Sequence, residues 1–397
     1  MVTRACSACG ALAGDDASFC EECGARLDSA PPPVPPLPAP AAAAAPAPQA
    51  GAESGTSSRD RQLELPVSDQ SAGLAAEAAP ARRACVACGG EVAADGYCVM
   101  CGRPADSERD HWAQSASPTV GGVCDRGIRH DRNEDAMALA AGDGYAALVV
   151  CDGVSSAPDS DVASLAAARA ALDVLVGGAP GGSAPVEGVG SQRTGAWSAL
   201  LAMAARAGDR AIVEAVGDVT GRADPPSCTF VAAVVEGPHI VVGWLGDSRA
   251  YWLPDEGAAQ QLSADDSGAA ELMAEGVSRV QAENSPHAHA ITRWLGPDAP
   301  DVTARTTAAT ARGAGWLLVC SDGLWNYCSP AADLARLLRE TAERVSDEPT
   351  ALAGALVDWA NAQGGRDNIT VALARVTAVA GVTVGDPGAS LVGSEPA

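Results

Sequence analysis

The sequence contains no lysine, so all 26 of its basic residues are arginine. This absence excludes Schiff-base catalysis and a P-loop phosphate site, because both depend on a lysine amine. Aromatic residues are also scarce at 4%, although hydrophobic residues make up 47% of the chain. The core is therefore expected to consist mainly of alanine, valine and leucine.

Positive charge is in short supply, because 50 acidic residues outnumber the arginines and give a formal net charge of -24. Nucleic acid and anionic membrane surfaces should repel such a chain, so neither is expected as a main partner. No apolar segment follows Met1, and no uninterrupted apolar run reaches about 18 residues. These absences predict a cytoplasmic protein, and 397 residues are enough for one large domain with smaller accessory modules.

Eight of the 13 cysteines form four Cys-x-x-Cys pairs, arranged in two groups. In a reducing compartment this spacing is typical of a tetrahedral zinc site with four thiolates. A redox-active pair is the less favoured alternative, since it would require a thioredoxin-like strand and helix around it. We predict two structural Zn²⁺ ions, one bound by Cys6, Cys9, Cys20 and Cys23 and the other by Cys85, Cys88, Cys98 and Cys101.

Composition divides the chain into modules. They are a zinc ribbon at 1–27, a linker at 28–80, a second zinc ribbon at 81–104, a short linker at 105–118, the main domain at 119–377 and a flexible tail at 378–397. The first linker is rich in proline and alanine and cannot bury enough apolar surface to fold. The ribbons are expected to bind a protein partner, because the segment that contains them is more acidic than basic.

Apolar patterns in the main domain predict strands in clusters and helices in pairs. Helices are expected at 161–176, 197–216, 331–345 and from Pro349, and the segment 177–193 should be a loop. Ser329 is the expected cap of the third helix, with Pro330 at its first position. The predicted strands are 120–124, 135–139, 146–151, 229–235, 240–245, 249–253, 316–320 and 369–373. This grouping favours an α+β fold with a mainly antiparallel sheet core.

Acidic residues stand next to predicted strands at four places in this domain. They are Asp152, Asp247, Asp322 and Asp367. A single acid in such a position is usually a solvated turn residue. Four of them, with Glu134 and Asp135 upstream, suggest that strand ends converge on a hard cation.

Seven short motifs run through the main domain. They are RNEDA (132–136), CDGV (151–154), SCT (227–229), GDSRAY (246–251), ITRWLG (291–296), CSDGL (320–324) and DNIT (367–370). In this order, over about two thirds of the chain, they resemble the metal-dependent protein phosphatases of the 2C type, the PPM family of serine/threonine phosphatases. The resemblance implies a four-layer sandwich of two antiparallel β-sheets flanked by helices.

The resemblance also implies hydrolysis of phosphoserine and phosphothreonine by direct attack of a hydroxide that bridges two metal ions. Uncatalysed hydrolysis of phosphate monoesters is extremely slow, and a pair of divalent cations can both activate water and clamp the phosphoryl oxygens. Mg²⁺ and Mn²⁺ prefer oxygen ligands, in keeping with the many aspartates. The implied partners are phosphoproteins, including serine/threonine kinases and their substrates.

By resemblance, Asp152 would bridge both Mg²⁺ or Mn²⁺ ions. Asp322 and Asp367 would hold one ion, and Glu134 with the carbonyl oxygen of Gly153 would hold the other, mostly through waters. These residue types suit hard cations that keep part of their water shell.

Two further acids have supporting roles by resemblance. Asp135 would orient the water ligands. Asp247, together with Asp322, matches positions that bind a third, weaker metal ion in bacterial members of the family. Asn368 would orient the loop that carries Asp367.

The phosphate-binding position departs from the family pattern. The family has an arginine five residues before the aspartate that matches Asp135, and this chain has His130 there. Either Arg129 or Arg132 takes over the phosphate, or the histidine binds it more weakly; otherwise His130 is a surface loop residue. Residues 154–156 (Val-Ser-Ser) also lack the histidine of animal members and the usual pair of glycines.

Residues 255–289 correspond to the mobile flap of bacterial members and are expected to shape substrate access. This segment includes a predicted helix at 269–275. His287 and His289 lie near its end and either reach the metal site or are solvated.

These features are compatible with three functions. The leading one is an active phosphatase in which the zinc ribbons form a docking or regulatory module. The runner-up is a catalytically weak phosphatase-like scaffold that binds phosphoproteins, suggested by His130 and the missing glycines. The third, a zinc-ribbon nucleic-acid binder, is disfavoured by the charge balance.

Overall fold

The computed structural model describes residues 3–5, 12–14, 90–93, 97–102, 105, 107–142, 144–179, 190–286, 288 and 290–377. The chain divides into two units, Met1–Ala78 and Ala79–Ala397. Most of the predicted zinc ligands, the first linker, the tail, His287 and His289 lie outside the described residues. Among the described helices, none combines the length and the apolar character needed to cross a membrane.

The elements follow in chain order. The strands are β1 (Thr3–Ala5), β2 (Leu12–Gly14), β3 (His111–Ser117), β4 (Val120–Asp125), β5 (Ala136–Gly142), β6 (Tyr145–Cys151), β7 (Phe230–Glu236), β8 (His239–Leu245), β9 (Arg249–Pro254), β10 (Gln260–Gln261), β11 (Arg305–Thr310), β12 (Gly315–Cys320) and β13 (Ile369–Val376). The helices are α1 (Ser160–Gly177), α2 (Gly190–Val216), α3 (Gly268–Ala274), α4 (Arg279–Glu283), α5 (Asp322–Trp325), α6 (Ala331–Arg344) and α7 (Pro349–Gln363).

Strands β3 to β13 form two antiparallel sheets. One has six strands in the order β10-β9-β12-β13-β4-β3, and the other has five in the order β11-β8-β7-β6-β5. In the first unit, β1 pairs with β2 in an antiparallel hairpin. The predicted α+β fold with two antiparallel sheets is confirmed.

The core lies in three apolar layers, one between the sheets and one beneath each helical face. Strand β6 shows why, because Val149 packs toward the helices while its neighbours Leu148 and Val150 pack between the sheets. A strand covered on both faces reads as a continuous apolar run, which explains the sequence of β6. Helices α1 and α2 cover the five-stranded sheet, and α6 and α7 cover the six-stranded one. Sheets and helices therefore form four layers.

Alanine is the most frequent residue in the layer beneath α1 and α2. Ala163, Ala167 and Ala171 of α1 are fully buried, at spacings of four residues that place them on one helical face. Small side chains allow the two helices to approach each other closely. The expected alanine-rich core is confirmed.

Three sequence predictions are wrong. The linker at 105–118 contains β3, which pairs with β4 as the edge of the six-stranded sheet. An edge strand buries only alternate residues, so its polar composition resembled a linker. Helix α2 begins at Gly190, inside the segment predicted as a loop. The N-cap of α6 is Pro330 without a side-chain hydrogen bond, and the hydroxyl of Ser329 instead donates to Glu283 Oε1 at 2.6 Å.

Candidate metal centre

The acids predicted to bind metal come from strand ends at one edge of the two sheets. Strands β12 and β13 are antiparallel neighbours, so the end of one, before Asp322, lies beside the start of the other, after Asp367. Strands β5 and β6 bring Asp135 and Asp152 together in the same way, through the pair Ala136 and Cys151. Both sheets therefore direct carboxylates toward a common region.

Glycines allow these strand ends to approach each other. A Cβ atom on Gly323 would lie 2.0 Å from the carbonyl oxygen of Asn368. A Cβ atom on Gly153 would lie 2.7 Å from the carbonyl oxygen of Glu134. In each Asp-Gly pair, the glycine lies against another backbone segment, so a side chain at the glycine position would force the two segments apart.

Two further motifs hold the backbone of Asp152. Its N–H donates to Thr229 Oγ1 at 3.0 Å, and the N–H of Thr229 donates to the Asp152 carbonyl oxygen at 2.8 Å. The hydroxyl of Thr229 lies 2.7 Å from that of Ser248. The SCT and GDSRAY motifs therefore support the acid of the CDGV motif.

Asp135 is completely buried among hydrogen-bond donors from the opposite sheet. The hydroxyls of Ser321 and Thr370 each donate to its Oδ2 at 2.7 Å. Burial raises the pKa of Asp135 to about 7, against the opposing effect of these two hydrogen bonds. Its Oδ1 is buried and accepts no hydrogen bond from any described residue.

Asp322 and Asp247 are in a similar electrostatic position. Burial, followed by repulsion from Asp367 and Asp247, raises the pKa of Asp322 well above its ordinary value. Burial, followed by repulsion from Asp265, raises the pKa of Asp247 to about 7. Asp322 Oδ1 is another buried oxygen without a hydrogen-bond donor among the described residues, while Asn326 donates to Oδ2 at 3.0 Å.

Asp152 is repelled by all of the other clustered aspartates. Burial raises its pKa, and repulsion from Asp135, Asp322, Asp367 and Asp247 raises it further. Several carboxylates in one place repel each other unless protons or cations neutralise them. The cluster is therefore electrostatically unfavourable at neutral pH without added positive charge.

Glu134 differs from the aspartates because cations already surround it. Its Oε1 accepts hydrogen bonds from Arg132 Nη2 at 2.6 Å and from Ser160 Oγ at 2.5 Å. Burial opposes ionisation, but the interaction with the nearby His130 ring and the hydrogen bonds from Ser160 and Arg132 lower the pKa of Glu134 to about 2. Glu134 is therefore ionised throughout the neutral range.

Asn368 fixes the loop that carries Glu134, a larger role than the predicted support of Asp367. Its Oδ1 accepts from the N–H of Glu134 at 2.7 Å, and its Nδ2 donates to the carbonyl oxygens of Arg126 and Arg132. Its own N–H donates to Asp367 Oδ1 at 2.8 Å. One amide thereby connects the RNEDA and DNIT motifs.

The three phosphate-binding candidates occupy different environments. His130 is partly buried, with Nε2 3.2 Å from Asp367 Oδ1 and Nδ1 3.8 Å from Glu134 Oε2, so it is more than a surface loop residue. Arg132 is paired with Glu134. Arg129 is exposed, and its side chain makes no ion pair or hydrogen bond with the described residues.

Residues that the sequence interpretation missed also contact this region. Ser164 of α1 donates to the carbonyl oxygen of Glu134, one helical turn after the contact from Ser160. Ser160 and Ser164 are four positions apart in an alanine-rich helix and therefore lie on one face of it, which was the sequence feature that could have predicted these contacts. Because both serine hydroxyls donate to Glu134, helix α1 helps to position this residue.

A buried arginine connects the predicted flap to this edge of the sheets. Arg249 is 1% exposed, and its guanidinium donates to Asp265 and to Glu283 Oε1, both in the flap. It also stacks on Trp325 at 3.5 Å from the ring centroid. Trp325 Nε1 in turn donates to the carbonyl oxygen of Asp247. The flap is therefore anchored next to the acids.

The donor set suits a hard divalent cation. All the clustered side chains offer oxygen, and two buried carboxylate oxygens lack hydrogen-bond donors, as described above. In the part of the chain that is described, no three His, Cys, Asp or Glu side chains are arranged to hold an ion by themselves. Water molecules would have to complete the coordination, as is usual for Mg²⁺.

Known proteins share this sequence pattern and fold. Serine/threonine phosphatase stp of Listeria innocua serovar 6a is 35% identical over 146 residues, which cover 36% of this chain and 55% of that protein. The protein of the same name from Listeria monocytogenes serotype 4b is 34% identical over the same length. The matched region thus spans about half the length of these relatives.

Solved structures extend the similarity across the domain. The crystal structure of the PPM Ser-Thr phosphatase MsPP from Mycobacterium smegmatis, in complex with cacodylate, is similar with a TM-score of 0.50 and 27% identity, covering 66% of this chain and 100% of that one. The S. agalactiae serine/threonine phosphatase has a TM-score of 0.51 at 23% identity, covers 67% of this chain and 100% of that one, and shows the fold alone. Residues 127–360 match the family described as Protein phosphatase 2C. Because this match covers more than half of the chain, the protein belongs to the protein phosphatase 2C family.

Proposed function

We propose that this protein is a metal-dependent phosphatase that hydrolyses phosphoserine and phosphothreonine in proteins. The observation that carries the proposal is the cluster of buried, mutually repelling aspartates at the converging strand ends. The similarity to a PPM Ser-Thr phosphatase in complex with cacodylate supports it, because cacodylate is an oxyanion.

The proposed centre holds two Mg²⁺ or Mn²⁺ ions, and a third more weakly. When bound, such ions lower the pKa of a water and stabilise charge on the phosphoryl oxygens. Asp152 faces the other aspartates and is the proposed shared ligand. Asp322 and Asp367, which come from neighbouring strands, would hold one ion. Glu134 and the carbonyl oxygen of Gly153 would hold the other.

Asp135 and Asp247 have supporting roles in this proposal. Asp135 has one oxygen fixed by Ser321 and Thr370, so its free Oδ1 is available to accept a hydrogen bond from a water ligand. Asp247 is buried near Asp322 and would contribute to the third, weaker site.

The cysteine pairs would form a separate docking or regulatory module with two Zn²⁺ ions. The strand β1 ends directly before Cys6, and in the second group the N–H of Val99 donates to the carbonyl oxygen of Glu91 in a short hairpin around Cys98. Hairpins that present paired cysteines are usual in structural zinc sites. The partner at this module would be a protein, given the acidic composition.

A phosphatase-like scaffold with weak turnover is the second candidate. It is favoured by the contacts of Glu134, whose carboxylate is shared by Arg132, Ser160 and His130. Binding an ion at Glu134 would require these groups to yield. The scaffold would bind phosphoproteins without releasing phosphate.

A phosphate-release assay separates the two candidates. The full chain with Mn²⁺ or Mg²⁺ is incubated with a phosphothreonine peptide, beside Asp152→Asn, Asp322→Asn and the control Asp358→Asn, which changes an exposed acid of α7. We expect metal-dependent release that falls about 100-fold or more in the first two variants only, since they lose metal ligands. A wild-type chain that binds the peptide without releasing phosphate would support the scaffold instead.

A further inference from the structure

The proposed reaction needs a basic side chain to bind the phosphoryl group. The basic residues next to the aspartates are already paired with acids. Arg132 is paired with Glu134, and His130 lies between Glu134 and Asp367. By the resemblance described above, the family's phosphate-binding arginine would stand at position 130, where this chain has His130. A dianionic phosphoryl group approaching this acidic edge therefore requires a basic side chain that is not committed to an acid.

A cavity of about 310 Å³ opens directly beside the aspartates. It is lined by Asp367 and by Gly323, the residue after Asp322, and it extends past Tyr327 to Glu283 of the flap. Arg366 is the one basic residue among the described residues that line it. The cavity thus places the proposed metal ligand Asp367 and a single basic side chain on the same wall.

The backbone of Arg366 is held in place while its side chain is not. Its N–H donates to the hydroxyl of Tyr327 at 3.0 Å, and the carbonyl oxygen of the preceding Gly365 accepts from the N–H groups of Ile128 and Arg129. The Arg366 side chain is exposed and makes no hydrogen bond or ion pair with the described residues. A fixed backbone with an uncommitted guanidinium is suited to binding an anion.

Arg129 lies on the adjoining loop but does not line this cavity. Tyr327, by contrast, lines the cavity and accepts a hydrogen bond from the backbone of Arg366, so its own O–H proton is available to a ligand. A guanidinium and a phenol together offer planar, charge-assisted donors that match phosphoryl oxygens.

We propose that Arg366 binds the phosphoryl group of the substrate in this cavity, with Tyr327 as a second donor, and so replaces the arginine that the family has at position 130. This inference rests on the proposed phosphatase function. It identifies a binding residue that the sequence motifs do not contain, because Arg366 stands just before the DNIT motif.

The test compares Arg366→Ala and Arg366→Lys in the full chain with Mn²⁺. The substrate is p-nitrophenyl phosphate, which has a phosphoryl group but no peptide, and inorganic phosphate is titrated both as an inhibitor and by calorimetry. The control is Arg312→Ala. Arg312 is an exposed arginine that lines a different cavity. It precedes the start of β12, whereas Asp322 follows the opposite end of that strand.

Losing charge-assisted hydrogen bonds should raise KM and weaken phosphate binding about 10- to 100-fold in Arg366→Ala. Arg366→Lys should recover part of the affinity, because a point charge remains without the planar donors. Arg312→Ala should match the wild type. Because the Arg366 side chain is exposed, thermal unfolding should be the same in all four proteins.

Unchanged KM and unchanged phosphate affinity in Arg366→Ala would overturn the inference. An effect confined to phosphopeptides, with p-nitrophenyl phosphate and inorganic phosphate unaffected, would also overturn it by assigning Arg366 to the peptide. A wild-type chain that does not hydrolyse either substrate would refute the proposed function. In that case, calorimetry with inorganic phosphate would still show whether Arg366 binds phosphate.

Discussion

The buried carboxyl of Asp135 should make the metal-free protein less stable as the pH rises. Its pKa is raised from an ordinary value of 3.8 to about 7, so the folded state binds a proton more tightly than the unfolded state. For such a group, the stabilisation is complete below the unfolded pKa and is lost as the pH rises through the folded pKa. The loss therefore falls between about pH 4 and about pH 7.

The size of the effect follows from the difference between the two pKa values. At about 1.4 kcal/mol for each pH unit, Asp135 alone should cost about 3 kcal/mol between about pH 5 and about pH 7. In a domain of this size, 1 kcal/mol corresponds to about 2–4 °C in Tm. Asp135→Asn keeps an oxygen for Ser321 and Thr370 and removes the charge, so its Tm should fall about 6–12 °C less than that of the wild type over this range.

Calorimetric or urea unfolding in a chelator, at several pH values, measures this difference. Asp358→Asn serves as the control, since it removes an exposed acid from α7. The comparison cancels the titrating groups that do not interact with Asp135, whereas the raised pKa of Asp152 depends partly on Asp135 and changes with it. If Asp135→Asn and the wild type show the same dependence on pH, the carboxyl is not held in the buried acidic environment described here.

Three other predictions concern packing at Gly323, the anchoring of the flap and the zinc ligands. Gly323→Ala should reduce phosphatase activity and cost about 1–3 kcal/mol of unfolding free energy, because its Cβ would collide with the Asn368 carbonyl; equal activity and Tm would contradict this. Arg249→Met should cost about 3–5 kcal/mol in urea unfolding because it leaves Asp265 buried without its partner, and the added change Asp265→Leu should restore part of that loss. Zinc analysis of the full chain should find two ions, and Cys98→Ser should remove one; an unchanged content would exclude Cys98 as a ligand.

The fold followed from the sequence where elements are buried on both faces. Strand β6 is an unbroken apolar run, and Pro349 begins α7 as predicted, with the side chain of Glu348 accepting from the N–H groups of Thr350 and Ala351. Strand β3 could not be predicted in the same way, because none of its side chains is fully buried and alternate ones are exposed. Periodicity therefore revealed the central strands and missed the edge.

The sequence identified the acidic residues of the candidate site but not the contacts that surround them. Asp-Gly pairs signalled turns, whereas Gly153 and Gly323 are required because another backbone segment crosses there. The role of Ser329 depends on Glu283 and Arg249, which are distant along the chain. No sequence pattern marks Arg366 as a functional residue. Only the structure identifies it, because its exposed side chain lines the cavity beside Asp367.

Counting bound Mn²⁺ ions tests the central claim most directly. Electron paramagnetic resonance of the full chain, titrated with Mn²⁺, gives the number of ions bound to the wild type, to Asp152→Asn and to the control Asp358→Asn. The clustered aspartates predict at least two bound ions in the wild type and the control, and a loss in Asp152→Asn, which changes the proposed shared ligand. Equal binding by all three proteins, or no binding by the wild type, would contradict the assignment of this edge as a metal centre.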